Sequence, residues 1–147
     1  MYKCQKFTIK ELVSKQVYQK FGEKAWMFFD EQLLRDLDTI RLYHGLPITI
    51  NNWATGGSFS QCGLRCNKDP LVASAKGIYC TAHSMGKAFD LHSSNTKKLY
   101  KDVETLFYQG KLKAIRRMES AVSTKYGWCH VDSFQTNDPK KLEIFVA

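Results

Sequence analysis

The sequence contains few features that would cross-link it or anchor it in a membrane. Its five cysteines, at positions 4, 62, 66, 80 and 129, are odd in number and include no Cys-x-x-Cys pair. Neither a disulfide framework nor a structural zinc knuckle is expected, and free thiols in a reducing compartment are the default. A metal site made of Cys62, Cys66 and Cys80 is the sharper alternative, but its i, i+4 spacing falls in a glycine-containing loop. No segment approaches the roughly 18 to 20 apolar residues of a membrane span, so no stable membrane insertion is expected. The N-terminus carries lysines at 3, 6 and 10 and no apolar stretch of secretory type, which reads as synthesis in the cytoplasm without a signal peptide. Internal repeats and low-complexity tracts are absent. There is no Gly-x-Ser-x-Gly elbow, so Ser58 and Ser60 give no serine hydrolase. Cys129 and His130 are adjacent on a candidate strand and point to opposite faces, which disfavours a thiol nucleophile.

Charge is plentiful and mostly of one sign. Lysine and arginine number 22 against 14 aspartate and glutamate, a formal net charge of +8. An anionic partner follows by Coulomb attraction, and a cell wall bearing carboxylates and phosphates fits as well as nucleic acid. The basic residues are scattered, with pairs at Lys97-Lys98, Arg116-Arg117 and Lys140-Lys141 and no longer run, so a nucleic-acid partner is not expected. With 44% hydrophobic residues in 147, residues 1–147 read as one globular domain.

Hydrophobic periodicity and breakers divide the chain as follows. Thr8 to Glu11 has the form of a capping box and predicts a first helix from about 8 to 20. Trp26, Phe29, Leu33, Leu37 and Ile40 recur at helical spacing, with Asp30, Arg35, Asp36 and Asp38 on the other face, predicting one long helix from Glu23 to His44 closed by Gly45. His44 then reads as a structural residue whose cation suits a helix C-terminus. Ile48 to Trp53 is β-rich and predicts a strand. Residues 54 to 82 predict a long loop with a short helix near 70 to 75. Lys87 to His92 predicts a strand, Ser93-Ser94-Asn95 a cap, and Leu99, Val103, Leu106 and Phe107 the buried face of a helix ended by Gly110. Trp128 to Asp132 and Leu142 to Val146 are the remaining strand candidates. Helices early, strands late and no regular βαβ alternation indicate an α+β domain with a small antiparallel sheet and helices packed on one side.

Two segments carry chemistry, Thr81-Ala82-His83-Ser84-Met85-Gly86-Lys87-Ala88-Phe89-Asp90 and Gly127-Trp128-Cys129-His130-Val131-Asp132. Alternate strand residues share a face, so Trp128, His130 and Asp132 point together, as do Ala88, Asp90 and His92. Adjacent strands would bring Asp90 to His130, and His83 from the preceding loop completes two imidazoles and a carboxylate. That set suits one zinc ion and leaves a coordination position open, as catalytic zinc requires. Gly86 and Ala88 are consistent with close backbone approach. His92 is either a hydrogen-bonding residue behind Asp90 or a solvent-facing strand end, and stays outside the metal set.

These two segments resemble the zinc D-alanyl-D-alanine carboxypeptidases and their endopeptidase relatives, including bacteriophage endolysins with the hedgehog/DD-peptidase fold. The family pattern Ser/Thr-x-His-x-x-Gly-x-Ala-x-Asp, followed downstream by Trp-x-His, is matched by Thr81, His83, Gly86, Ala88 and Asp90, then by Trp128 and His130. Phe7 to Leu12 is similar to the family's opening helix, and Gly45 to Ile50 to the strand leading to its substrate loop. The resemblance implies a zinc-dependent hydrolase cutting peptidoglycan stem peptides, either at a D-Ala-D-Ala type bond or between L-Ala and D-Glu. It implies substrate and oxyanion contact for Arg65, at the matching offset before His83. Many relatives carry the general-base glutamate three residues before the second histidine, where this chain has Gly127. Short phage-type relatives have a glutamate further upstream, and Arg116-Arg117-Met118-Glu119 fits, so Glu119 is the candidate base with Asp132 as substitute. Trp128 and Ser60 join Arg65 as substrate-binding candidates, while Trp53 and Tyr126 serve equally well as core or cleft residues. The implied protein acts as a monomer on bacterial peptidoglycan, released from the host cytoplasm by another protein's membrane lesion. A zinc-site domain without turnover, serving as a wall-binding or virion structural module, is the alternative, with a small basic nucleic-acid binder a distant third.

Overall fold

The computed structural model describes residues 1–147. The N-terminal third is helical but more broken than hydrophobic period alone predicts. Helix α1 spans Ile9–Leu12, and Glu11 accepts from the Thr8 N–H at 2.8 Å, as the capping box requires. The helix stops at once because its carbonyls are claimed elsewhere. Leu12 O accepts from Leu64 N at 2.9 Å, and Val13 O accepts from both the Asn51 amide and the Trp53 indole at 3.0 Å. Val13 is extended, and Ser14 starts α2 (Lys15–Phe21) by accepting from Val17 N. The single helix expected over 8 to 20 is therefore two, because tertiary hydrogen bonds outcompete continuation. The long helix expected from Glu23 is likewise divided. Residues Gly22–Phe28 form a 3₁₀ turn, Phe29 is extended, and Asp30 caps α3 (Glu31–His44) by accepting from the Gln32 and Leu33 amides. Gly45, at φ +74°, closes α3 in the left-handed conformation open to glycine.

Ile48 to Trp53 forms no strand, contrary to its composition. One antiparallel bridge joins Thr49 to His92, and Trp53–Thr55 is a 3₁₀ turn. Side chains replace the ladder: Asn51 Oδ1 accepts from Cys62 N, and Asn52 Oδ1 from Phe59 N, folding the loop back on this segment. Helix α4 (Pro70–Ala73) is the short helix expected in that loop. Strand β1 (Ala88–Leu91) leads to α5 (Thr96–Tyr108), whose Asn95 cap accepts from Lys98 N. Then follow β2 (Arg117–Glu119), α6 (Ala121–Thr124), β3 (Cys129–Asp132) and β4 (Glu143–Phe145).

The sheet order is β1-β3-β2-β4. Both neighbours of β3 run antiparallel to it, but β4 pairs with β2 in parallel, so the sheet is mixed rather than antiparallel. Phe89, Leu91, Cys129 and Val131 are fully buried and join Leu33, Leu37, Ile40, Leu99, Val103 and Leu106 of α3 and α5 in one core. The ring of His44, at the end of α3, reaches Asp102 of α5 through Nδ1 and Ser93 through Nε2, both at 2.7 Å. It is buried and tethers the two long helices. No helix is long and apolar enough to cross a membrane.

Sequence periodicity placed Asp36 on a solvent face, but it is fully buried. Its carboxylate accepts from the backbone N–H groups of Lys113, Ala114 and Ile115 at 2.9, 2.7 and 2.9 Å, fixing the segment that leads into β2. Removing the carboxylate strands three donors in a dry environment, where each unpaired group costs about 1–3 kcal/mol. Asp36→Ala is expected to lower unfolding free energy by at least about 3 kcal/mol in urea titrations, against less than about 0.5 kcal/mol for the exposed Glu31→Ala.

Candidate metal centre

Three side chains from separate segments converge. Asp90 of β1 lies directly opposite His130 of β3 in the sheet register, and His83 approaches from the loop before β1. One ligand atom from each lies within 4.8 Å of the other two. His130 Nδ1 is 2.8 Å from Asp90 Oδ1, and His83 Nε2 is 3.3 Å from Asp90 Oδ2.

The hydrogen bonds behind the rings decide what each nitrogen can do. His83 Nδ1 lies 2.9 Å from the Gly63 carbonyl, which can only accept, so that nitrogen carries a proton and, in the neutral ring, the Nε2 lone pair faces Asp90. Gly63 is needed there, since a Cβ would lie 2.0 Å from the Leu12 carbonyl oxygen. His130 Nε2 lies 3.1 Å from Asp132 Oδ2, which likewise leaves Nδ1 facing the cluster in the neutral ring. Asp132 is fully buried and held by Arg117 through two hydrogen bonds of 2.9 Å. The Arg117 guanidinium lies over the rings of Phe145 and Phe134. A carboxylate behind a ligating imidazole, itself fixed by a cation, is the arrangement that orients metal-binding histidines. Two lone pairs and one carboxylate aimed at one point form a donor set that can hold a metal ion.

Charge in this cluster is balanced by proximity. Burial pushes the Asp90 carboxyl up, but hydrogen bonds from His130 and His83 hold it well below the usual carboxylate range. Burial pushes His130 down, but Asp132 and Asp90 overcome this and raise it to about 9. Asp132 is likewise kept low against burial by His130 and Arg117.

The cluster opens into a cavity of about 500 Å³ whose walls include Arg65, Glu119, Trp128, Phe134 and Phe145. Arg65 donates to the Tyr79 hydroxyl at 2.7 Å and lies 3.5 Å from Asp90 Oδ2. Glu119, 8% exposed, lines the cavity and accepts at Oε1 from the Ser123 hydroxyl at 2.8 Å. Asp132 also lines it, but both its oxygens are engaged by Arg117, which suits support of His130 better than proton transfer. Trp128 lines the cavity with its backbone carbonyl fixed by Tyr100.

Several expected residues stand elsewhere. Ser60 is half-buried and does not line the cavity, because the fold-back directed by Asn51 and Asn52 carries it aside. The His92 ring stacks on Phe59 at 4.0 Å and stays outside the cavity. The five cysteines are free, and none belongs to a metal-capable cluster. The close approach at Gly86, φ +68°, is to the Phe28 carbonyl rather than beside the metal ligands. Periodicity gave no hint of Arg117, Ser123 or Tyr79, which depend on a register and loop path that local pattern does not encode. The placing of Asp132 on the same strand face as His130 was the one available signal that a cation must stand opposite.

No protein-family model, curated protein or solved structure matches this chain.

With its pKa raised from 6.5 to about 9, His130 is protonated at pH 7.5 in the metal-free protein, and its Nδ1 proton occupies the place an ion would take. Its contribution to stability is full below pH 6.5 and lost as pH rises through about 9. Binding of a divalent metal ion at pH 7.5 is expected to release about one proton, and markedly less above pH 10, read by calorimetry in buffers of different ionisation enthalpy. Asp132→Asn is expected to weaken metal binding about 10- to 100-fold in chelator competition.

Proposed function

We propose that this protein is a zinc-dependent peptidase of peptidoglycan stem peptides, of the phage endolysin type that the two-part histidine signature resembles. The observation that carries the reading is the position of Glu119 and Arg65 on the walls of the same cavity as the His83, Asp90 and His130 cluster. A general base, an oxyanion donor and a metal-capable set in one cleft are the parts that peptide hydrolysis needs. The net charge of +8 agrees with an anionic wall as partner. On this reading the chain works as a monomer with the hedgehog/DD-peptidase arrangement and reaches the wall after release from the cytoplasm. The bond is of D-Ala-D-Ala or L-Ala-D-Glu type.

When bound, zinc would polarise the scissile carbonyl and acidify water. His83, Asp90 and His130 would hold it, and Asp132 with Arg117 fixes the His130 ring. The Ser123 hydroxyl occupies Glu119 Oε1 and leaves Oε2 to take a proton from the attacking water and return it to the leaving amine. Arg65, steadied by Tyr79 and the Gln61 carbonyl, donates to the carbonyl oxygen as negative charge develops. Trp128 and Phe134 supply apolar wall to the cleft.

A wall-binding module without turnover is the second reading, favoured by Gly127 at the place where many relatives carry the base. The inward position of Glu119 favours the enzyme. Incubation with purified peptidoglycan, followed by mass spectrometry of the fragments, separates the two. Chelator-sensitive cleavage is expected, reduced about 10²- to 10⁴-fold in Glu119→Gln with zinc content unchanged. A zinc-loaded protein that yields no product from any wall type would leave the binding module.

A further inference from the structure

Glu119 belongs to the walls of two cavities. Beyond it from the metal cluster lies a second hollow of about 470 Å³, between α5 and the β2–α6 and β4 segments. Met118, Ala121 and Ile144 give it an apolar floor, and Ile144 stands 53% exposed on β4 with no packing role that explains it. Tyr126 forms one wall, edge-on to Tyr100 at 5.7 Å. It is held there by two consecutive left-handed residues, Lys125 at φ +52° and Tyr126 at φ +57°. Side chains other than glycine rarely adopt that backbone, and such strain concentrates at binding sites.

Lys97 and Lys101 stand four residues apart on α5 and line this hollow. Both are exposed, and neither forms an ion pair. Lys98, between them, turns the other way to Asp102 and the His44 carbonyl. Lys97 Nζ lies 5.3 Å from the centroid of the Tyr126 ring. Apart from Glu119, the one acidic group in these walls is the exposed Glu104, which makes no ion pair either. Like charges at i, i+4 repel, and an anion between them relieves that repulsion.

We propose that the peptide substrate runs past Glu119 into this hollow, where Lys97 and Lys101 bind a free carboxylate of an acidic stem peptide and Tyr126 packs on its backbone. The inference rests on the peptidase reading and adds to it a preference: the substrate is recognised by a carboxylate a short distance from the bond that is cut. Two sources supply that chemistry, the α-carboxylate of a γ-linked D-glutamate and the side-chain carboxylate of a diamino acid.

The test uses zinc-loaded full-length protein and synthetic stem peptides in which each carboxylate in turn is free or amidated. For one of the two positions, amidation is expected to raise KM about tenfold with little change in kcat, and that position names the source. In the Lys97→Gln/Lys101→Gln double variant the same amidation is expected to change KM less than about twofold, and Lys101→Glu is expected to prefer the amide. Equal KM for free and amidated peptides at both positions with the unaltered protein, or an undiminished preference in the double variant, overturns the proposal. Calorimetric binding of the same peptides reads the hollow without turnover. If nothing is cut, but the free acid binds about tenfold tighter and the double variant loses that margin, the lysine site stands and the peptidase reading falls. Equal binding overturns the lysine site as well.

Discussion

Asp90 faces His130 because β1 and β3 pair in a register held by Phe89 against Val131 and Leu91 against Cys129, all fully buried. The side-chain period of a strand is two, so a slip of one residue would turn Asp90 and His130 into the core and those apolar side chains into the cleft. Burying a carboxylate and an imidazole there in place of four apolar groups is prohibitive, so the core selects the register and the register makes the metal cluster. Asp132 follows from the same pairing. It lies opposite Arg117 of β2 and on the same face as His130.

The result is a continuous chain of polar contacts, Arg117, Asp132, His130, Asp90, and then His83 with Arg65, in which each carboxylate stands between basic side chains. Every buried polar side-chain atom in the protein has a hydrogen-bond partner. A network of this kind is tolerable only when complete, because removing one member leaves its neighbour charged and unpaired. Completeness also gives it rigidity, since each side chain is fixed from both ends.

Much of this was legible in the sequence, and the failures share a cause. The strands at 88–91 and 129–132, the helix at 96–108 and the three-residue cluster followed from period-two alternation, a capping asparagine and residue chemistry. Those are local signals. The long helices expected over 8 to 20 and from Glu23 were broken where tertiary partners took helical carbonyls at Leu12 and Val13, and where Asp30 supplied a stronger start. Asp36 looked like a surface acid because its partners, the amides of 113–115, are remote in the chain. The parallel pairing of β4 with β2 was equally hidden: a three-residue strand carries no mark of direction, and the expectation of a wholly antiparallel sheet failed on it.

Of the three candidate ligands, His83 and Asp90 are close in the chain while His130 is 40 residues beyond Asp90, and His83 leans on a further segment. His83 is aimed by the Gly63 carbonyl, and Gly63 is wedged against Leu12 of the first helix. An ion held by His83, Asp90 and His130 would act as a removable cross-link, closing the long loop from Asp90 to His130 whose entropy the unfolded chain would otherwise keep. Its grip reaches the N-terminal helices, which supply no ligand, through a glycine that has no room to move. For a protein without disulfides, loading with metal would then fasten the whole domain, and a metal-scavenging environment would loosen it from the sheet to the N-terminal helices.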